Sequence, residues 1–246
     1  MKTNQENSFL DWFFICLYHA IEQRKIEIME NNLIDKLFSD DIKDIKEAID
    51  SGVNVNIKNK EGKTALIKQS FFGNFNNVKF LLDSGADVNI VDNEKNSPLH
   101  YASWFDYFEI VQILIEHGAD VNIKNINKMT PIIAACSNDD VNLISYLIEH
   151  GSNIEETYRY GSTIIHKAVY ANATEIIKFL VKRGANFEIK DEDGETPLFV
   201  AVRYKFYDCA YCLLELGANP NTKNVYDDTP LHCAVMFGNL NMTKNY

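Results

Sequence analysis

The chain has 246 residues and a formal net charge of −11, from 24 Lys+Arg against 35 Asp+Glu. That balance argues against a nucleic-acid partner, which needs a cationic face, and no Lys/Arg run supplies one. With 46% hydrophobic and 24% charged residues, and only 11 Gly and 5 Pro, the composition excludes wholesale disorder and a collagen-like chain.

At the N-terminus the apolar stretch from Phe9 to Ile21 is interrupted by Asp11 and His19 and is too short for the roughly 20 residues of a membrane span. It is also a poor signal peptide, because Lys2 and Glu6 precede it and no small-residue cleavage site comes before Glu22-Gln23-Arg24-Lys25. Leu10, Phe14, Leu17 and Ile21 share one helical face, broadened by Phe9, Trp12 and Phe13. Residues 1–28 therefore read as a helical extension that covers the first unit behind it. A dimer contact and a membrane-surface helix are the alternatives, the latter weakened by few cations. The five cysteines, Cys16, Cys136, Cys209, Cys212 and Cys233, are odd in number and irregularly spaced, which suits a reducing compartment better than a disulfide framework. An intracellular protein, cytoplasmic rather than secreted, is expected.

Beyond the extension the chain repeats itself. Gly52, Gly85, Gly118, Gly151, Gly184 and Gly217 are each 33 residues apart, and Thr64, Ser97, Thr130, Thr163, Thr196 and Thr229 keep the same step. Around the hydroxyl series the chain reads Ser97-Pro98-Leu99-His100-Tyr101-Ala102, Thr196-Pro197-Leu198-Phe199-Val200-Ala201 and Thr229-Pro230-Leu231-His232-Cys233-Ala234. A hydroxyl residue caps free backbone N–H groups, and proline next to it has none to leave unsatisfied, so each is a helix start. Asp106, Asp139, Asn172 and Gly238 follow the sixth-position Ala by four residues and tolerate the left-handed conformation that ends a helix; Lys205, in the same place, is a poorer stop. A second apolar-periodic segment, such as Ile110-Val111-Gln112-Ile113-Leu114-Ile115, runs to the periodic glycine, and polar turn residues such as Asp92-Asn93-Glu94 come next. Each unit is turn, helix, helix, and none closes a core of its own.

The pattern G-x-T-P-L-H-x-A, a helix, and then G-A-D-V-N resembles the ankyrin repeat, from about Asn31 to the C-terminus. The resemblance implies an all-α solenoid of stacked helix-turn-helix units with projecting hairpin-like turns, and a concave binding face made by those turns and the first helices. On this reading residues 29–58 form a degenerate capping unit. Full units follow at 59–91, 92–124, 125–157, 158–190 and 191–223, and an incomplete unit at 224–246.

Several residue groups invite a chemical reading. Cys209 and Cys212 have C-x-x-C spacing, but their places in the period are those of the buried Ile110 and Ile113, so a core role is expected. His100, His166 and His232 stand 66 residues apart, too far for neighbours to share a metal ion. The resemblance gives them a structural role instead, bonding their own turn and the next unit. His117 and His150 fall at helix C-termini, where a polar or cationic group is favourable. No nucleophile elbow, Walker loop or zinc-protease motif occurs, and neither cofactor nor metal is expected.

Two and three residues beyond the helix-start Ala lie positions that, by resemblance, face the concave groove: Phe71 and Phe72, Trp104 and Phe105, Ser137 and Asn138, Tyr170 and Ala171, Arg203 and Tyr204, Met236 and Phe237. Aromatics and Arg dominate interaction hot spots. Phe71, Trp104, Tyr170, Arg203, Tyr204 and Met236 are the expected partner contacts, against the alternative that Phe72, Phe105 and Phe237 are buried by the neighbouring unit. The turn tips run from basic (Lys58, Lys60, Lys63) to acidic (Glu192, Asp193, Glu195), where solvation is the plain explanation, and Tyr158-Arg159-Tyr160 departs from the Asp or Asn usual there. The expected function is non-enzymatic binding of a partner protein, with an adaptor or inhibitor subunit of a catalytic partner as the alternative. Self-association through the extension or the incomplete last unit is a further alternative.

Overall fold

The structure is a computed structural model and describes residues 22–25, 28–137 and 139–236. The chain divides into two compact units, Met1–Ile57 and Lys58–Tyr246. The amphipathic face of the extension, Cys16, Asn138, Phe237 and Gly238 lie outside the described residues. In the first unit, residues 22–25 are helical, α1 spans 28–37 and α2 spans Ile42–Asp50. Asp41 caps α2 by accepting from the Lys43 N–H at 2.9 Å, and Leu37, Ile45 and Ala48 are wholly buried.

The second unit is a stack of helix pairs. These are α3 (Ala65–Phe72) with α4 (Phe75–Asp83), α5 (Pro98–Trp104) with α6 (Phe108–Glu116), and α7 (Pro131–Ala135) with α8 (Val141–Glu149). Next come α9 (Ile164–Tyr170) with α10 (Thr174–Lys182), α11 (Pro197–Arg203) with α12 (Tyr207–Glu215), and finally α13 (Pro230–Met236). First helices pack on first helices along the series α3, α5, α7, α9, α11, α13, and second helices follow, as α10 on α12. Helices this short are marginal alone; burial between layers sustains them, as in any solenoid. Leu66, Leu99, Ile132, Ile165 and Leu198, one period apart, are all buried.

The expected caps form, with one exception. Thr64, Ser97 and Thr196 accept from the N–H three residues on. Thr130 does not, and its Oγ1 is buried with no partner. Ile133 stands where Ser97 and Thr163 have an imidazole to bond, and α7 is cut to five residues. Position six departs from Ala in the first full unit, where the buried Gln69 accepts from the Asn74 and Asn77 amides at 2.7 and 3.1 Å. The first helices end as expected in left-handed residues, Asp106, Asp139 and Asn172, and Lys205 takes the same conformation at φ +63°. There the closing bonds of the layer itself, Lys205 N–H to Val202 O and Phe206 N–H to Ala201 O, hold the turn against the cost of a Cβ. Second helices end at the periodic glycine: at Gly118 (φ +84°) its N–H bonds Ile115 O at 2.9 Å and the next N–H, of Ala119, bonds Leu114 O at 3.0 Å, a Schellman closure.

The tips are Asx-type turns, except the one at Tyr158. Asp92 Oδ1 accepts from the Glu94 and Asn96 N–H groups, and Asn125 and Asp191 repeat the arrangement. Single backbone bonds join tip to tip, as from Ile126 N to Glu94 O and from Val225 N to Asp193 O, both 3.0 Å. No strand is assigned among the described residues.

Candidate partner-binding face

The inner positions of the first helices carry two aromatic clusters. In the first, the half-buried Phe71 ring lies 5.0, 5.4 and 5.1 Å from Phe72, Tyr101 and Phe105, in the edge-to-face geometry that ring quadrupoles favour. Lys63 Nζ sits 5.6 Å from the Phe71 ring and 5.7 Å from Tyr101, a cation–π arrangement. Trp104 follows at the end of α5. In the second cluster Tyr170 meets Tyr204 edge-on at 5.5 Å, and Tyr204 stacks on Phe206 at 6.1 Å. Between the clusters the stripe is small and polar, with Ser137 and Ala171 on it.

Phe72, Trp104, Phe105, Tyr170 and Tyr204 are between 38% and 53% exposed, and Met236 is 71% exposed. The alternative that Phe72 and Phe105 are buried by the next unit therefore fails. It is Phe71, the first of its pair, that the neighbouring rings enclose. Arg203 is likewise engaged within the chain: Nη1 bonds Glu195 Oε1 at 2.9 Å, and the guanidinium lies 4.9 Å from the Tyr204 ring centre.

Glu195 corrects the reading of the acidic tip. Its side chain is 3% exposed, not solvated, because it points inward to Arg203, eight residues later on the same layer. Burial pushes its carboxyl up to about 7, against the attraction of Arg203. Its Oε2 and the Arg203 Nε are buried without a hydrogen-bond partner. At the basic tip Lys63 pairs with Glu61 at 2.9 Å and Lys58 donates to Val91 O at 2.8 Å. A concavity of about 400 Å³ between this tip and the next is lined by Lys60, Lys63, Asp92, Glu94 and Tyr101. Sequence reasoning missed Tyr101, whose hydroxyl donates to the buried Asp92 Oδ2 at 2.6 Å; a Tyr nine residues after the turn Asp was the available signal. Tyr158, in place of the usual Asx, is buried, and a 3₁₀ turn, Arg159–Gly161, replaces the side-chain cap.

The histidines hold layers together. His100 Nδ1 accepts from the Ser97 N–H at 3.1 Å, and Nε2 meets Met129 O of the next unit at 2.9 Å. His166 repeats this with Thr163 and Glu195 O. One nitrogen must accept and the other must donate, so both rings are the neutral Nε2–H tautomer, and burial holds both below the ordinary histidine range. His117 and His150 donate from Nδ1 to Ile113 O and Tyr146 O at helix ends. Cys209 and Cys212 are buried core residues, and burial pushes the Cys209 thiol up to about 12, far from thiolate chemistry at neutral pH. Among the described residues no three His, Cys, Asp or Glu side chains are grouped to hold a metal.

Layers linked by an imidazole at one fixed position and by tip-to-tip backbone bonds are the mark of one repeat class. The family model for ankyrin repeats in three copies matches residues 33–125, 123–191 and 184–245. The chain belongs to the ankyrin-repeat family. The crystal structure of the human ASB11 ankyrin repeat domain superimposes with a TM-score of 0.70 at 23% identity, over 83% of this chain and 90% of that one, which is a likeness of fold. In all, 607 solved chains match, so the fold does not single out a partner. No curated protein matches by sequence. Ankyrin repeats are general protein–protein interaction modules and are typically non-catalytic. No helix among the described residues is long and apolar enough to cross a membrane.

Proposed function

We propose that this ankyrin array binds a partner protein through the concave face of its first helices and tips, with Phe71, Trp104, Tyr170, Arg203, Tyr204 and Met236 as contacts. The observation that carries the reading is the set of large, half-exposed rings at the two inner positions of α3, α5, α9 and α11, interrupted at α7, where Ser137 stands. Soluble proteins seldom leave so many aligned apolar groups open without a use for them, and rings fixed on stacked helices lose little entropy when a partner covers them. Trp104 and Tyr170 are the anchors. Phe71 and Arg203 act largely by shaping the surface, since their own contacts already lie within the chain. An interface of roughly 800 Å² per partner would be of ordinary size.

The unit boundaries at 59, 92, 125, 158, 191 and 224 and an intracellular setting are part of the same proposal. The test is affinity capture from the native cell with wild type and with Trp104→Ala/Tyr170→Ala, matched by circular dichroism. Loss of the captured protein from the double variant is the expected result, and unchanged capture rejects the assignment.

A further inference from the structure

Two side-chain links recur between the layers of the second unit. One is the imidazole, from His100 to Met129 O at 2.9 Å and from His166 to Glu195 O at 3.1 Å. The other lies beyond the second helices. Asn89 donates to Gly118 O and accepts from the Asp120 N–H, at 3.0 and 2.8 Å, and Asn122 makes the same two bonds with Gly151 and Asn153, both at 2.9 Å. Asn89 thus ties the α3–α4 pair to α5–α6, Asn122 and His100 together tie α5–α6 to α7–α8, and His166 ties α9–α10 to α11–α12. Between α7–α8 and α9–α10 neither link is whole. Ile133 stands at the imidazole position. Glu155 stands at the asparagine position, where a carboxylate has no N–H to give to Gly184 O and accepts from the Asn186 N–H only at 3.4 Å. The helices agree. The five-residue α7 packs extensively on α5 but sparsely on α9, whereas the other neighbouring first helices pack extensively on one another. Across this seam, among the described residues, run the tip bond from Arg159 N–H to Asn127 O at 3.0 Å, the bond from Ile176 N–H to Asp139 Oδ1 at 3.1 Å, and long contacts of Arg183 to Ser145 and Glu149 at 3.4 and 3.9 Å.

The stability of a stacked array is a sum over its units and the interfaces between neighbours, so it opens first at the weakest interface. We infer that the seam between the α7–α8 and α9–α10 pairs is a hinge, at which the array opens into two blocks while the seams on either side stay closed. This seam also divides the inner face. Phe71, Phe72, Trp104 and Phe105 lie before it, Tyr170, Tyr204 and Phe206 lie after it, and Ser137 and Ala171 stand between. Opening changes the separation of the two aromatic clusters and leaves the ring contacts inside each cluster intact. The hinge is a property of the array itself and holds whatever covers the inner face.

The experiment is hydrogen exchange of single amides, followed by NMR on the 246-residue chain. Arg159 and Ile176 donate across this seam; Ile126 and Glu192 donate across its neighbours, to Glu94 O and Tyr160 O, both at 3.0 Å. Corrected for intrinsic rates, Arg159 and Ile176 should exchange about tenfold faster than Ile126 and Glu192, two links of the size of a net hydrogen bond being absent. Two variants each restore one link. Ile133→His places an imidazole between the Thr130 N–H and Ser162 O, and Glu155→Asn, at an exposed position, supplies the amide for Gly184 O. Each should slow Arg159 and Ile176 by about fivefold and leave Ile126 and Glu192 as they were. Ile133→His alters a buried residue, so Glu155→Asn decides the matter should the first variant misfold. Equal protection at the three seams in wild type overturns the hinge. Fast exchange that a folded variant fails to slow overturns it too, because the motion then belongs to the tip alone.

Discussion

Each inter-layer histidine bonds two buried backbone groups at once. Its carbonyl partner also accepts a turn N–H (Asn125 for Met129 O, Asp191 for Glu195 O), so removing the histidine orphans the other group, the N–H of the capping residue. His100→Ala leaves the Ser97 N–H without its partner and takes one of two donors from the Met129 carbonyl, and should cost about 1 to 3 kcal/mol in urea unfolding. Among the described residues His232 bonds only Thr229, so His232→Ala should cost less than about 1 kcal/mol; equal losses would refute the role given to Nε2. Titration at two kinds of buried site pulls in opposite directions. For His100 and His166 the folded pKa lies below 6.5, so the unfolded chain binds more protons below that pH. Their contribution is full above 6.5 and is lost as pH falls toward the folded value. For Glu195 the folded pKa is raised from 4.5 to about 7, so its contribution is full below 4.5 and is lost as pH rises through about 7. Glu195→Gln should therefore raise the melting midpoint at pH 8 and leave it little changed at pH 4.5, and a shift of equal size at both would contradict the burial of that carboxylate. The inward turn of Glu195 was not legible in the sequence, since a Glu in an acidic tip reads as solvated until Arg203 is seen beside it.

At the scale of the element, capping chemistry decides which helices are complete. Thr130 carries a buried hydroxyl with no partner, whereas the Thr64 hydroxyl caps α3. Thr130→Val should thus be neutral or stabilising by up to about 1 kcal/mol, and Thr64→Val should destabilise by about 1 kcal/mol. Chemical denaturation of the two variants checks the contrast, which fails if both lose stability alike. Here the sequence was a good guide wherever a local rule sets the geometry: the hydroxyl-proline starts, the left-handed stops and the glycine closures lie where the 33-residue step puts them. It was a poor guide where a residue's contacts, and not its own propensity, set its place. Lys205 takes the left-handed conformation that its own propensity disfavours, Gln69 fills an Ala place by bonding two asparagines, and the ring that neighbours enclose is Phe71 instead of Phe72.

At the scale of the molecule the account joins a family assignment to a surface. The period alone revealed the array, because a fixed step in glycine and hydroxyl residues needs no knowledge of side-chain contacts. The surface was only partly legible: periodicity places a residue on the inner face, but exposure there depends on the size of the neighbours. Phe105 stays open beside Trp104, and Arg203 is drawn to Glu195. The central claim is that partner affinity resides in the inner aromatic register. It is tested most directly by calorimetric titration of the captured partner against two variants of equal stability, Trp104→Ala/Tyr170→Ala on the inner face and Tyr211→Ala on a second helix. The account predicts that the inner pair weakens binding by about 30-fold or more, the worth of a single hot spot of about 2 kcal/mol, while Tyr211→Ala leaves it unchanged. Wild-type affinity in the inner pair, with the loss falling on Tyr211→Ala, would contradict it.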